Sequence, residues 1–220
     1  VKDIIDIEGK ITTGGSMAWK DRRSTLTATL VRRMVEAGMI VLGKTHTVEF
    51  AMGSFGTNQH MGSPKNPWDL EEHRATGGSS AGTAAAVAAG LSPWGIGTDT
   101  GGSVRIPSAW CGLTGLKTSV GRISTHGVLP LSHTLDTPGP MCRSVEDAAI
   151  LYRILAGPDE QDSRTVIHSV EDPFPELKKG ISGFKLARVP DSELENVDSE
   201  NLEAYELSLI HISEPTRRYN

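Results

Sequence analysis

The chain has little that would tie it to an oxidising compartment, a membrane or a polyanion. It carries two cysteines, Cys111 and Cys142, without CxxC spacing. Two are too few for a disulfide framework and wrongly spaced for a redox or metal pair, so both read as buried thiols. No apolar run approaches the roughly 18 residues a membrane span requires, and no signal peptide opens the chain. A cytoplasmic setting is the expectation. Basic residues form no run beyond short pairs such as Arg32-Arg33, and the formal net charge is -5. Nucleic-acid and membrane-surface binding therefore have no electrostatic footprint. His46, His60, His73, His126 and His133 lack metal-ligand spacing with cysteines or carboxylates, so surface or packing roles are expected and no metal site. Thr125-His126 finds no support elsewhere for a histidine-based triad. Aromatics are scarce at 5%, yet 220 residues with 37% hydrophobic content still permit one sizeable core.

Glycine and serine are what the chain concentrates. Residues 77–107 read GGSSAGTAAAVAAGLSPWGIGTDTGGSVRIP, placing Ser79 and Ser103 on glycine-rich backbone. Glycine lets the chain turn sharply and brings bare N–H groups close to a substrate, as a nucleophile beside an oxyanion hole requires. A lone Gly-Gly-Ser-Ser is more often a surface turn. Its pairing with TDTGGSVRIP makes it specific.

Together with GKTHTVEFAMG and NPWD, these segments resemble the amidase signature hydrolases over Val1 to about Asp162. The resemblance implies a three-layer α/β/α sandwich with a mixed sheet, here incomplete. It also implies a Ser-Ser-Lys triad that cleaves carboxamides through an acyl-enzyme. Matched motif by motif, Ser103 is the nucleophile and Ser79, on a cis bond after Gly78, is the relay. Lys44 lies near the motifs, but the family's lysine sits in a Lys-Asp pair upstream, which here is Lys2-Asp3. The backbone N–H groups of Thr100, Gly101, Gly102 and Ser103 would meet the oxyanion. Met52 and Gly53 are the candidate substrate-binding residues, although an apolar Met52, like Phe50, is more often core.

Each candidate has a plainer reading. Ser103 and Ser79 could cap helices, Ser80 competes with Ser79, and Lys2 could be an exposed lysine. Asp99 and Arg105 bracket the nucleophile and read as structural supports of its loop.

Alternating elements support an α/β class. Ser24 is expected to cap an amphipathic helix through TLTATLVRRMVEAG, followed by a buried strand over Met39 to Leu42. A small-residue helix is expected over Ser79 to Ala89, then a strand within Leu91 to Thr98 and a loop opening into a helix over Gly102 to Trp110. Ser144 caps a helix ending at Gly157. PDEQDSRT reads as an exposed connection and Phe184 to Val189 as a late strand. Because VKDI starts inside a motif, the chain is expected to be a fragment truncated at both ends. The partial domain would occupy 1–207. The stretch SLIHISEPTRRYN, which loses helical periodicity and resembles a translated sequencing adapter, would form a tail outside the fold. Such a fragment is expected to associate and to be a poor enzyme.

The leading functional expectation is hydrolysis of a small-molecule linear carboxamide without a metal or organic cofactor, with no nucleic acid directly involved and no membrane; a homodimer is left open. The alternative is the glutaminase-like A subunit of a tRNA-dependent amidotransferase. That subunit resembles TNMDEFAMG, whereas this chain reads THTVEFAMGSFGTNQH, which is nearer general amidases. A third reading takes the glycine loops as anion sites, but no P-loop ending is present.

Overall fold

In the computed structural model, residues 1–165, 169–170, 172–185 and 187–213 are described. The chain divides into a unit of Val1–Lys178 and a second of Lys179–Asn220.

The first unit is organised on three strands: β1 (Trp94–Asp99), β2 (Thr114–Gly115) and β3 (Thr137–Cys142), in the order β1-β3-β2. Both pairings are antiparallel, with Asp99 opposite Thr137 and Trp94 opposite Cys142. A parallel bridge joins Lys2 to Thr45, and the Lys2 N–H donates to the Ile96 carbonyl of β1 at 3.0 Å. Pairing is thus mixed, as expected.

Helices cover both faces of the sheet. On one side α1 (Thr29–Glu36) and α4 (Val145–Leu155) enclose Leu30, Val31, Leu151 and Leu155 against Ile96 and Cys142. On the other, α2 (Ala81–Ala88) and the start of α3 (Arg105–Trp110) place Ala84 and Val104, the residue before α3, against Met141. The approach of α2 is close because β1 offers glycines. A Cβ on Gly97 would lie 2.6 Å from the Ser80 hydroxyl oxygen, and one on Gly95 would lie 2.5 Å from Thr83. That contact fixes the N-terminal end of α2, where the paired serines sit.

Several local expectations change. Ser24 does not cap α1; Ala28 occupies that position, while Ser24 is buried and bonded to Asp6 and Thr12. Met39 to Leu42 forms no strand, and Ile40 and Leu42 are 84% and 72% exposed. PDEQDSRT is exposed only in part: Asp159 and Asp162 are buried, Asp159 accepting from the Ser124 hydroxyl at 2.6 Å and Asp162 from the Thr125 N–H at 2.8 Å. Ser144 does cap α4, accepting from the Asp147 N–H at 3.1 Å.

In the second unit, helix α5 (Ser199–Ser213) runs through SLIHIS, where the sequence pattern shows no helical periodicity. The Tyr205 hydroxyl accepts from the Val189 N–H at 2.9 Å. Phe184 to Val189 contains no strand among its described residues, and Leu186 lies outside them.

Candidate active site

Three backbone segments converge beneath α2. The Lys2 segment lies along the free edge of β1, which turns the lysine side chain toward Thr98 and Ser79. Lys2 is wholly buried, and its Nζ donates to Ser79 Oγ at 2.7 Å and to Thr98 Oγ1 at 2.8 Å. It forms no ion pair among the described residues. Burial without a directly bonded carboxylate disfavours the ammonium. The Lys2 pKa falls to about 7, even though the more distant charges of Asp136 and Asp99 oppose the fall.

Ser79 follows a cis Gly78–Ser79 bond, at the position the resemblance implies. Its carbonyl accepts from the Val48 N–H and the Thr47 hydroxyl, each at 3.2 Å. Gly78 admits no side chain here, because a Cβ would lie 2.7 Å from both the Gly53 carbonyl oxygen and the Gly56 nitrogen. Ser80, the rival serine, is engaged elsewhere. Its hydroxyl accepts from the Thr98 N–H at 3.2 Å and donates to the Thr98 carbonyl at 3.3 Å. It pins α2 to β1.

Ser103 ends the loop that leaves β1. Asp99, fully buried, shapes this loop by accepting from the N–H groups of Gly102 at 2.8 Å, Val104 at 3.2 Å and Arg105 at 3.3 Å. The Arg105 guanidinium adds two contacts of 3.0 Å. Burial would raise the Asp99 carboxyl, but the Arg105 guanidinium and these N–H donors together hold it below its ordinary value. The Ser103 carbonyl accepts from the Ser80 N–H at 3.3 Å. Its side chain is half-buried, and its hydroxyl makes no hydrogen bond among the described residues. Lys2 and Ser79 are therefore bonded to each other, and Ser103 is brought beside them by backbone. Contacts of this kind commonly tighten only when substrate binds.

The four expected oxyanion donors do not stand alike. The Gly102 N–H is taken by Asp99, so it is unavailable to a substrate. Those of Thr100, Gly101 and Ser103 bond to no described residue. Met52 is 73% exposed and Phe50 42%, so neither is core. The turn that presents Met52 runs through two residues in left-handed backbone, Phe50 at φ 46° and Ala51 at φ 60°. Such a pair is unusual for non-glycine residues and is held here by the Phe50 N–H on the Gly14 carbonyl at 2.7 Å. Thr98, the second partner of Lys2, is not among the residues that the sequence singles out. Its only signal there is its place in the TDTGGS motif.

Helices on both faces of a mixed sheet, with a buried lysine-serine pair beside a glycine-rich serine loop, form the α/β arrangement that the sequence resemblance implies. The chain belongs to the Amidase family, whose profile matches residues 1–215; members of this family act on amide carbon–nitrogen bonds. The A subunit of the glutamyl-tRNA(Gln) amidotransferase of Syntrophobacter fumaroxidans is 46% identical over 186 residues, 84% of this chain and 38% of that protein. The crystal structure of the corresponding subunit from Thermotoga maritima superposes with a TM-score of 0.90 at 40% identity, covering 96% of this chain and 46% of that one. The native peptide amidase of Stenotrophomonas maltophilia gives a TM-score of 0.74 at 40% identity, covering 80% and 37%. The chain thus spans less than half the length of these relatives, and the fold they share is the one expected.

These relatives overturn one expectation. A small-molecule amide substrate with no nucleic acid directly involved does not fit proteins named as one subunit of an amidotransferase for glutamyl-tRNA(Gln). The THTVEF segment points the other way, but a short stretch carries less weight than identity over 186 residues.

Proposed function

We propose that the whole protein is the A subunit of a tRNA-dependent amidotransferase, releasing ammonia from a carboxamide through a serine acyl-enzyme and passing it to a partner subunit. The observation that carries the chemistry is Lys2, buried, bonded to Ser79 and paired with no carboxylate among the described residues. A serine hydroxyl is a weak nucleophile without a base. In this reading Ser103 attacks the amide carbon as its proton moves to Ser79, while Ser79 gives its own proton to neutral Lys2. A hydroxyl can do both at once. The N–H groups of Thr100, Gly101 and Ser103 receive the oxyanion. The carbon–nitrogen bond then breaks as the proton returns from Lys2 through Ser79 to the leaving nitrogen, and water releases the acyl group by the same route. The amidotransferase setting is supported by the named relatives. A cytoplasmic location belongs to this proposal; among the described residues no helix is long and apolar enough to cross a membrane.

The test uses the whole protein. A fluorophosphonate probe should place its adduct on Ser103, and Ser103→Ala should abolish labelling. An adduct mapped to Ser79 or Ser80 would overturn the assignment. Ammonia release from glutamine should rise when companion subunits and glutamyl-tRNA(Gln) are added. Turnover indifferent to both would remove the amidotransferase setting while leaving the serine chemistry.

A further inference from the structure

Asp136 immediately precedes β3, is 7% exposed, and carries no signal in the sequence. Its carboxylate is engaged on several sides. Oδ2 accepts the Leu131 N–H at 2.8 Å, both oxygens accept the Ser132 N–H at 3.0 and 3.1 Å, and Oδ1 accepts the Thr100 hydroxyl. The last contact reaches the site, because Thr100 opens the loop to Ser103 and its own N–H bonds to no described residue. The pairing of Asp99 with Thr137, whose hydroxyl donates to the Asp99 carbonyl at 2.9 Å, brings Asp136 opposite Thr100.

Charge distinguishes Asp136 from its neighbour. Two carboxylates act on Lys2 through space, Asp136 more strongly than Asp99. Asp99 is neutralised by Arg105, and Asp3, on the Lys2 segment itself, by Lys44. Asp136 forms no ion pair among the described residues and is held by N–H and O–H dipoles; His126, His133 and the Arg164–Asp162 ion pair line the same cavity beside it. In the low-dielectric interior, charges act strongly on one another.

We propose that Asp136 is a positioning residue for the reaction, fixing Thr100 and the N–H groups that follow it, and balancing the charge that appears on Lys2 when the lysine takes up a proton. This rests on Ser103 as the nucleophile. Asp136→Asn in the whole protein keeps the size and removes the charge. Labelling of Ser103 by the fluorophosphonate should slow about tenfold or more, and kcat should fall with KM little changed. The rising limb of the pH profile should move to lower pH, since loss of an anion makes the Lys2 ammonium easier to deprotonate. Thr100→Val deletes only the hydroxyl tether, so kcat should fall and the limb should stay. A purely structural Asp136 would lower Tm and leave the limb in place. That result, or wild-type labelling in both variants, would overturn the proposal. If Asp136→Asn does not fold, wild-type labelling by Thr100→Val is enough to reject it. Ser103→Ala separates the two levels: if it still labels, nucleophile and inference fall together. If it is inert while Asp136→Asn behaves as wild type, only the inference falls.

Discussion

Lys2 and Lys44 stand on adjoining backbone, joined through the parallel bridge of Lys2 with Thr45, and they meet opposite surroundings. Lys44 Nζ reaches Asp3 Oδ1 at 2.7 Å, the Ile11 carbonyl at 3.1 Å and the Thr12 hydroxyl. It is a cation with an anion bonded to it. Lys2 meets two hydroxyls and, among the described residues, nothing charged within bonding distance. Burial lowers both ammonium groups, but at Lys44 the bonded Asp3 carboxylate works directly against that fall, whereas at Lys2 only the more distant Asp136 and Asp99 do. The difference teaches that proximity to the motifs in sequence says little about which lysine can act as a base. What decides it is whether the amine can exist neutral near pH 7.

The largest effect should come from removing that amine. Lys2→Ala should slow amide turnover by about 10²–10⁴, the range for a lost general acid–base group. Hydrolysis of the matching ester should fall less, because an alkoxide leaves more readily than an amine and depends less on proton return. Equal losses on amide and ester would show that Lys2 does not protonate the leaving group, and the distinction between the two lysines would collapse.

The next effect is on pH. With the Lys2 pKa at about 7 in the fold against 10.5 for the free side chain, activity should rise with pH through about 7 as the amine becomes neutral. Stability follows the same sign. Between those two values the unfolded chain holds a proton that the native protein has released, so stability should increase with pH across that window. Lys2→Met should flatten this rise in urea melts followed at several pH values. A variant as pH-sensitive as wild type would place the titration elsewhere.

How much of this is legible in the sequence depends on where the information lies. The serine motifs, the Ser144 cap and the small residues of α2 are local, and the sequence declares them. β3 is not, because TPGPMC contains two prolines, which argue against a strand flanked on both sides. The structure tolerates them for a geometric reason. The Pro140 carbonyl accepts the Leu116 N–H at 3.0 Å, so its missing N–H faces the same side, where β2 is only two residues long. Pro138, two residues back, faces likewise. Ser80 and Gly102 sit inside the motifs as possible participants, yet each is taken by a partner the motif does not reveal, Thr98 for the first and Asp99 for the second in a folded-back loop. Met39 to Leu42 misleads because four apolar residues in a row suit a buried strand, and only the tertiary fold reveals that Ile40 and Leu42 face outward.

The smallest effect on chemistry should come from Lys44→Ala, and it tests the comparison from its other side. Lys44 reaches neither serine; its partners are Asp3, next to Lys2 in the chain, and the Ile11-Thr12 stretch. Without it, the partly buried Asp3 carboxylate keeps the Thr13 N–H at 3.0 Å and the Thr13 hydroxyl but loses its cation. A stability loss of about 1–3 kcal/mol is expected for a half-buried acid left without its ion pair. The rate per folded molecule should stay near wild type, since the Lys2–Ser79 contact needs nothing from Lys44. Denaturant melts and active-site titration measured on the same sample separate the two quantities. A rate loss at Lys44→Ala matching that at Lys2→Ala, with the folded fraction accounted for, would mean that the two lysines act as one unit and that the contrast in their surroundings has no catalytic consequence.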